Sequence, residues 1–165
     1  MNKTISAVRN WLRLSPAGRE QSPAPVPILL ASERDDDYQT LQSFLHGTKW
    51  RVERALSWNE VPSLCECHLN PVVLVDRYFQ GADWQATVAS ILDPAARRCV
   101  ILLSDVSDPY LWNELVQQGG FDVLARPFEC PAVLRILAFA QRHSTADWPS
   151  LHAPRQHQRL AGKSR

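Results

Sequence analysis

The sequence lacks several features that would place it in a particular class of protein. Among its 165 residues no apolar run approaches the roughly 20 that span a bilayer, so we expect no membrane span. The N-terminus is interrupted by Lys3, Arg9 and Arg13, and it therefore lacks the apolar stretch of a secretory signal. Four cysteines are few for a disulfide framework, and a reducing compartment keeps them as thiols. These absences together predict a cytoplasmic protein.

Charge of one sign does not dominate the chain either, although its distribution is uneven. The net charge is +1, and the 45% hydrophobic content is that of an ordinary globular domain. Residues 1–22 and 143–165 each carry a balance of +3, whereas the segment between them carries −5. Basic ends can attract nucleic acid or an anionic surface. Neither end has a nucleic-acid-binding motif, so we expect solvated tails and no direct DNA binding.

Proline marks the start of the predicted folded unit. Residues 23–27 form a proline-rich linker that favours extended backbone. Before it lies an N-terminal extension, residues 1–22, in which residues 3–14 have the apolar spacing of a short amphipathic helix. This helix is either a docking or dimerisation element or a frayed extension, because a helix this short is marginal alone. Residues 143–165 are polar and basic, and they predict a disordered tail.

Between residues 28 and 142 short apolar runs alternate with segments of helical periodicity. The runs predict strands at 28–31, 50–55, 72–75, 99–103 and 121–125. The periodic segments predict helices at 35–46, 58–67, 84–92, 110–118 and 131–141. Five βα units in one domain predict an α/β fold with a doubly wound parallel sheet. The compact solution is the flavodoxin-like (βα)5 fold with strand order 2-1-3-4-5.

Two local patterns are weighed and set aside. Flavin binding on this fold would need a phosphate-cradling loop after the first strand, but residues 32–37 are acidic and contain no glycine, so they would repel the phosphate. Cys65 and Cys67 have a C-x-C spacing followed by His68, but no second ligand pair lies at zinc-finger distance. We interpret these cysteines as two thiols near a helix end.

Polar side chains follow four of the five predicted strands. In the predicted strand order these positions are neighbours at the carboxyl edge of the sheet, where α/β folds bind ligands. They are Ser32-Glu33, Asp76, Ser104-Asp105 and Arg126-Pro127. Acids, hydroxyls and a cation suit a phosphoryl group with magnesium, since carboxylates hold the metal while hydroxyl and cation bind phosphoryl oxygens. An aspartate can also accept a phosphoryl group covalently as an acyl phosphate.

These motifs resemble the receiver domain of bacterial two-component response regulators. The resemblance covers residues 27–142 and depends on four segments in the family's order. They are residues 28–33 with the acidic end of the first strand, 72–76 with the phosphoacceptor strand, 101–104 with the strand that ends in a hydroxyl, and 119–128 with the fifth strand and the Lys-Pro-Phe turn.

The resemblance implies a role for each site residue. Asp76 is expected to be the phosphoacceptor. Magnesium would be held by Glu33, Asp76 and the backbone carbonyl of Tyr78. Ser104 would bind a phosphoryl oxygen, and Arg126 would occupy the position of the family's lysine, which pairs with the acceptor aspartate before modification and with the phosphoryl group afterwards.

The chain also departs from the family pattern. The usual acidic pair is reduced to Ser32-Glu33, and the run Asp35 to Asp37 is interpreted mainly as a helix cap that complements the dipole, with a metal role as the alternative. Arg126 replaces lysine, and its planar guanidinium can hold Asp76 in a bidentate pair that blocks phosphorylation or reshapes the site. Val123 replaces the family's switch aromatic. The magnesium site is therefore expected to be weakened.

Two functional hypotheses follow, and neither makes the chain an enzyme. The first is a single-domain response-regulator receiver that a histidine kinase or phosphotransfer protein phosphorylates on Asp76. The second is a phosphorylation-independent pseudo-receiver that acts as a protein-interaction module. In both, residues 143–165 are not expected to form an output domain, so the signal passes to a downstream protein partner. The resemblance places the contact surface on the fourth and fifth helices.

Overall fold

The computed structural model of the chain describes residues 25–67, 72–92, 98–106 and 108–145. Within these residues five strands form where the sequence has short runs rich in valine, isoleucine and leucine. They are β1 (Val26–Ala31), β2 (Trp50–Ala55), β3 (Val72–Asp76), β4 (Cys99–Ser104) and β5 (Asp122–Ala125). Predictions for the extension 1–22, for His68 and for most of the tail 143–165 concern segments outside the described residues.

In the described part of the chain five α-helices alternate with the strands, as the periodicity predicts. They are α1 (Asp35–Leu45), α2 (Glu60–Cys67), α3 (Trp84–Ile91), α4 (Pro109–Gln117) and α5 (Cys130–Thr145). Asp108 caps α4, because its carboxylate accepts a hydrogen bond from the backbone N–H of Leu111 at 2.8 Å. Gly119 follows α4 with φ of 92°, a left-handed backbone conformation that favours glycine directly after a helix. In the described part of the chain, no helix combines the length and apolar content that a membrane crossing needs.

The strands form one parallel sheet in the order β2-β1-β3-β4-β5, which confirms the predicted flavodoxin-like fold. Strands β1, β3 and β4 are therefore central and almost entirely buried. The register of β3 and β4 pairs Asp76 with Leu103, and that of β4 and β5 pairs Ser104 with Ala125. The polar residues that end these strands consequently reach the same edge of the sheet.

Hydrophobic cores cover both faces of the sheet. On one face Leu30 and Leu74 pack with side chains of α1 and α5. On the other face Leu29 and Val73 pack with side chains of α2, α3 and α4. Because side chains alternate along a strand, adjacent residues serve opposite cores. Strands buried on both faces explain why the runs are continuously apolar and not alternating.

The structure differs from the prediction at both ends of the domain and in the turn after β3. Strand β1 begins two residues earlier than expected, since Val26 and Pro27 pair with β2, so this part of the predicted linker belongs to the sheet. Helix α5 continues to Thr145, four residues past its predicted end. A single 3-10 turn at Phe79–Gly81 follows β3 and was not predicted. The β3–α3 connection beside Asp76 is therefore an ordered turn.

Candidate functional site

Asp76 ends β3 at the carboxyl edge of the sheet. It is only 7% exposed, since the central strand is covered on both faces. Its Oδ1 atom accepts a hydrogen bond of 2.7 Å from the backbone N–H of Tyr78. Its Oδ2 atom accepts a hydrogen bond from Nη2 of Arg126. Both carboxylate oxygens of the predicted phosphoacceptor thus have partners within the protein.

Ser104 ends the neighbouring strand β4 and is buried. Its Oγ atom accepts a hydrogen bond of 3.1 Å from the backbone N–H of Val106, an interaction that shapes the turn after the strand. Its backbone carbonyl accepts a hydrogen bond of 2.9 Å from the backbone N–H of Arg126. The ends of β4 and β5 are therefore joined next to Asp76. The structure brings Asp76, Ser104 and Arg126 together, as the sequence predicts.

Arg126 makes its bidentate pair with a different acid from the one expected. Its Nε atom donates to Oδ1 of Asp37 at 2.9 Å, and its Nη2 atom donates to Oδ2 of Asp37 at 2.5 Å. Only Nη2 contacts Asp76, so the predicted bidentate pair with Asp76 is wrong. The peptide bond from Arg126 to Pro127 is cis. Through these hydrogen bonds the guanidinium lies between two buried carboxylates and contacts both.

The charge on Arg126 is strongly favoured in this setting. Burial disfavours a charged guanidinium, but the hydrogen bonds and negative charges of Asp37 and Asp76 outweigh that effect and raise the pKa of Arg126. Its side chain is 8% exposed, so these interactions are only weakly screened by water. The pocket has a permanent internal cation.

Asp37 is the site residue whose main role the sequence interpretation missed. Arg34 occupies the N-cap position of α1 and its side chain makes no cap hydrogen bond, so the acidic run does not cap the helix. The run does lie in the first turn, where it complements the helix dipole as predicted. Asp37 is 4% exposed, and its Oδ2 atom also accepts a hydrogen bond of 2.9 Å from the hydroxyl of Ser32. A signal was present, since Asp37, Leu41 and Leu45 share the i, i+4, i+8 spacing of the buried face of α1.

The two remaining predicted magnesium ligands are the side chain of Glu33 and the backbone carbonyl of Tyr78. Glu33 is exposed in the loop between β1 and α1. The backbone carbonyl of Tyr78 accepts a hydrogen bond of 3.0 Å from the N–H of Gly81, which closes the 3-10 turn. The side chain of Tyr78 is exposed beside Arg77. Their roles as magnesium ligands stay predictions.

A second ion pair lies at the mouth of the pocket. Nη1 of Arg34 is 3.3 Å from Oδ1 of Asp105, so the loop after β1 reaches the loop after β4. The same Oδ1 atom is 3.5 Å from Nη1 of Arg126. Both Arg34 and Asp105 are about half exposed, and a pair in that setting contributes at most about 1 kcal/mol. This exposed ion pair therefore costs less to break than the buried pairs that Arg126 forms with Asp37 and Asp76.

The residues of the pocket do not fit magnesium as they stand. Magnesium needs carboxylate or carbonyl oxygens in near-octahedral geometry. Arg126 binds both oxygens of Asp37 and Oδ2 of Asp76, the N–H of Tyr78 binds Oδ1 of Asp76, and Glu33 is exposed. Across residues 25–67, 72–92, 98–106 and 108–145, no three His, Cys, Asp or Glu side chains form a group that could hold a metal ion.

Several solved structures have this fold. A signal receiver domain of an HD domain-containing protein from Pseudomonas fluorescens matches with a TM-score of 0.63 at 21% identity, over 73% of this chain and 97% of that chain. The chemotaxis protein CheY4 of Vibrio cholerae matches with a TM-score of 0.63 at 17% identity, over 71% of this chain and 99% of that chain.

A third similar structure is the receiver domain of a sensor histidine kinase from Pseudomonas aeruginosa, with a magnesium ion coordinated in its active-site cleft. It has a TM-score of 0.58 and 20% identity, over 71% of this chain and 98% of that chain. No protein-family model matches the chain, and no curated protein matches it in sequence. The chain therefore has the fold of receiver domains, with low sequence identity to those of known structure.

Proposed function

We propose that the chain is a receiver-type module of two-component signalling that acts by binding protein partners, without phosphorylation of its pocket. The observation that carries this proposal is the position of Arg126 between Asp37 and Asp76. In a phosphorylating pocket the cation beside the acceptor must be able to move to the oxygens of the incoming phosphoryl group. Here Arg126 contacts Asp76 and is also held to Asp37 by two further hydrogen bonds, so it is not free to move. The pocket is thus better suited to a fixed structural role.

The proposed partners are a histidine kinase or phosphotransfer protein and a downstream protein. Support for a contact surface on α4 and α5 comes from exposed aromatic side chains on both helices, namely Tyr110, Trp112 and Phe139. Exposed apolar groups of this kind are typical of protein-binding surfaces. At the edge strand between these helices, Val123 is half-buried where the family has its switch aromatic. An aromatic rotation that reports phosphorylation is therefore not part of the proposal.

The test is phosphorylation itself. The full chain is incubated with acetyl phosphate and magnesium, its intact mass is measured, and Asp76→Asn serves as the control. We expect no phosphoryl adduct on the wild-type chain. A stoichiometric adduct that is missing from Asp76→Asn would overturn the proposal. A partner captured by the wild-type chain should also be captured by Asp76→Asn, and a clear loss of that binding would count equally against it.

A second candidate function is that of a conventional receiver phosphorylated on Asp76. The observation that favours it is the meeting of Asp76, Ser104 and Arg126 at three adjacent strand ends. In this function an oxygen of Asp76 would attack the phosphorus of a phosphohistidine on the kinase or phosphotransfer protein, the P–N bond would break, and the histidine would leave. Arg126 would then transfer its hydrogen bonds to the phosphoryl oxygens. The proposed magnesium ligands remain Glu33, Asp76 and the Tyr78 carbonyl. The adduct measurement above decides between the two functions.

A further inference from the structure

We infer that Arg126 is a built-in replacement for a divalent cation, held in place by Asp37, and that this one residue decides whether the pocket accepts a metal. The inference rests on the proposed function, because it explains how the pocket is neutralised without metal or phosphoryl group. It also assigns a role to Asp37. The usual acidic pair is reduced to Ser32-Glu33 in this chain, and Asp37 of α1 supplies a buried carboxylate in place of the one missing at position 32.

The position of one nitrogen atom is the central observation. Nη2 of Arg126 donates to Oδ2 of Asp37 at 2.5 Å and also donates to Oδ2 of Asp76. One cationic group therefore bridges two carboxylates that come from α1 and from β3. A divalent cation shared by two carboxylates would occupy the same kind of position, since it binds oxygens at about 2.0–2.6 Å. The guanidinium and a metal ion would compete for this one place.

Arg126 is held there from several sides. Its Nε atom donates a further hydrogen bond of 2.9 Å to Oδ1 of Asp37, which completes the fork. The hydroxyl of Ser32 donates to Oδ2 of Asp37 and orients that carboxylate. The guanidinium carbon lies 5.6 Å from the ring centroid of Phe128, within the range of a cation–π contact. The side chain is thus positioned by the surrounding structure, and the metal position is filled in advance.

The charge and the geometry of Arg126 both disfavour binding of a divalent metal ion in the pocket. A guanidinium stays protonated at any pH at which the protein is folded, so it cannot give up its charge to admit another cation. A divalent ion would have to break the charge-assisted bonds to Asp37 and stand next to this fixed positive charge. Lysine at the same position offers a single ammonium on a flexible chain and no planar fork, so it can point away from Asp37. Replacement by lysine should therefore release the two carboxylates for a divalent cation.

The test is a thermal melt of the full chain in increasing MgCl2, against NaCl of equal ionic strength. For the wild-type chain we expect no magnesium-specific change in Tm. For Arg126→Lys we expect Tm to rise by several degrees at about ten times the dissociation constant of the ion. The double variant Asp37→Asn, Arg126→Lys should lose that rise, because one of the two carboxylates is gone. Direct titration with Mn2+ followed by electron paramagnetic resonance gives a second measure of binding.

Each outcome decides the matter. A magnesium-specific rise in the wild-type chain that Asp76→Asn abolishes would overturn the inference, because the pocket would then bind metal despite Arg126. A folded Arg126→Lys chain that binds no Mn2+ would overturn it as well. If Arg126→Lys does not fold, Arg126→Gln, which removes the charge and keeps a hydrogen-bonding amide, takes its place under the same criteria. A phosphoryl adduct without metal binding would overturn the proposed function alone, whereas metal binding without an adduct would overturn this inference alone.

Discussion

Asp37 and Arg126 lie 89 residues apart in the sequence, and their side chains form a buried bidentate ion pair with distances of 2.9 and 2.5 Å. Asp37 belongs to the first turn of α1, and Arg126 directly follows β5. The pair therefore joins the beginning and the end of the domain across the carboxyl edge of the sheet. Asp76 completes the cluster at the end of the central strand β3. Two buried carboxylates share one cation, so the burial of each negative charge depends on Arg126.

Removal of Arg126 is expected to be strongly destabilising. Arg126→Ala leaves Asp37 and Asp76 buried without their cation, and breaking a buried ion pair from one side costs about 3–5 kcal/mol. Urea denaturation gives the free energy of unfolding. Arg135→Ala on the exposed surface of α5 is the matched control and should change that free energy by less than about 0.5 kcal/mol. Equal effects of the two substitutions would contradict the role assigned to Arg126.

Asp37 and its neighbour Asp36 provide a comparison within one helical turn. Both belong to the acidic first turn of α1, so both complement the helix dipole, but only Asp37 is buried and paired. We expect Asp37→Asn to lower the free energy of unfolding by about 1–3 kcal/mol, because a charge-assisted pair becomes a poorer one. Asp36→Asn should cost less than about 0.5 kcal/mol. If the helix dipole were the main role of the run, the two variants would unfold alike.

Cys99 should make stability fall at alkaline pH. Burial raises the pKa of its thiol from the ordinary 9.0 to about 11. The unfolded chain releases this proton first, so the contribution of Cys99 is fully present below pH 9 and is lost as the pH rises to about 11. By pH 11 the loss of unfolding free energy amounts to about 2 kcal/mol. This is slightly less than about 1.4 kcal/mol for each of the two pH units, because the folded-state thiol is itself half ionised at its pKa.

The measurement is denaturant unfolding at pH 8, 9, 10 and 11. Cys99→Ala should lose this part of the pH dependence, whereas Cys67→Ala, which alters an exposed thiol, should keep it. Other groups also titrate at these pH values, so the difference between variants is the quantity of interest. Parallel curves for the wild-type chain and Cys99→Ala would show that burial of Cys99 does not affect its ionisation.

Gly120 should not tolerate a side chain. A Cβ atom there would lie 2.3 Å from Cδ1 and 2.5 Å from Cγ of Leu115, which is fully buried. We expect Gly120→Ala to cost about 1–3 kcal/mol by overpacking, measured as a loss of unfolding free energy. The double variant Gly120→Ala, Leu115→Ala has room for the new methyl group, so Gly120→Ala should cost less in that background. An equal cost in both backgrounds would show that contact with Leu115 is not the cause.

Much of the fold follows from signals that are local in the sequence. The continuous apolar runs of β3 and β4 predict strands buried on both faces, and Gly119 predicts the end of α4. The errors lie where tertiary pairing overrides local preference. Pro27 is predicted to belong to the linker, yet it pairs with Arg51 in the sheet. Proline is tolerated there because, among the described residues, β1 pairs with β3 only from Ile28 onward, so Pro27 has a single neighbouring strand. Such pairing is not encoded in the segment itself.

The candidate site divides in the same way. Asp76, Ser104 and Arg126 could be predicted because each follows a strand, and the ends of parallel strands meet at one edge of the sheet. The partner of Arg126 could not be predicted, because a long side chain reaches several carboxylates and selects among them by distance and angle. The spacing of Asp37 with Leu41 and Leu45 placed it on the buried face of α1, but only the docking of that helix brought it to Arg126.

The order of the elements, the burial of the sheet on both faces and the edge where the polar residues lie all follow from the amino-acid pattern, because hydrophobic periodicity acts over a few neighbouring residues. Which carboxylate is buried does not follow from that pattern: in the folded chain Asp37 is buried and Glu33 is exposed. The physical reason is that a buried charge is stable only beside an opposite one, and that match is made across the fold by residues far apart in the chain.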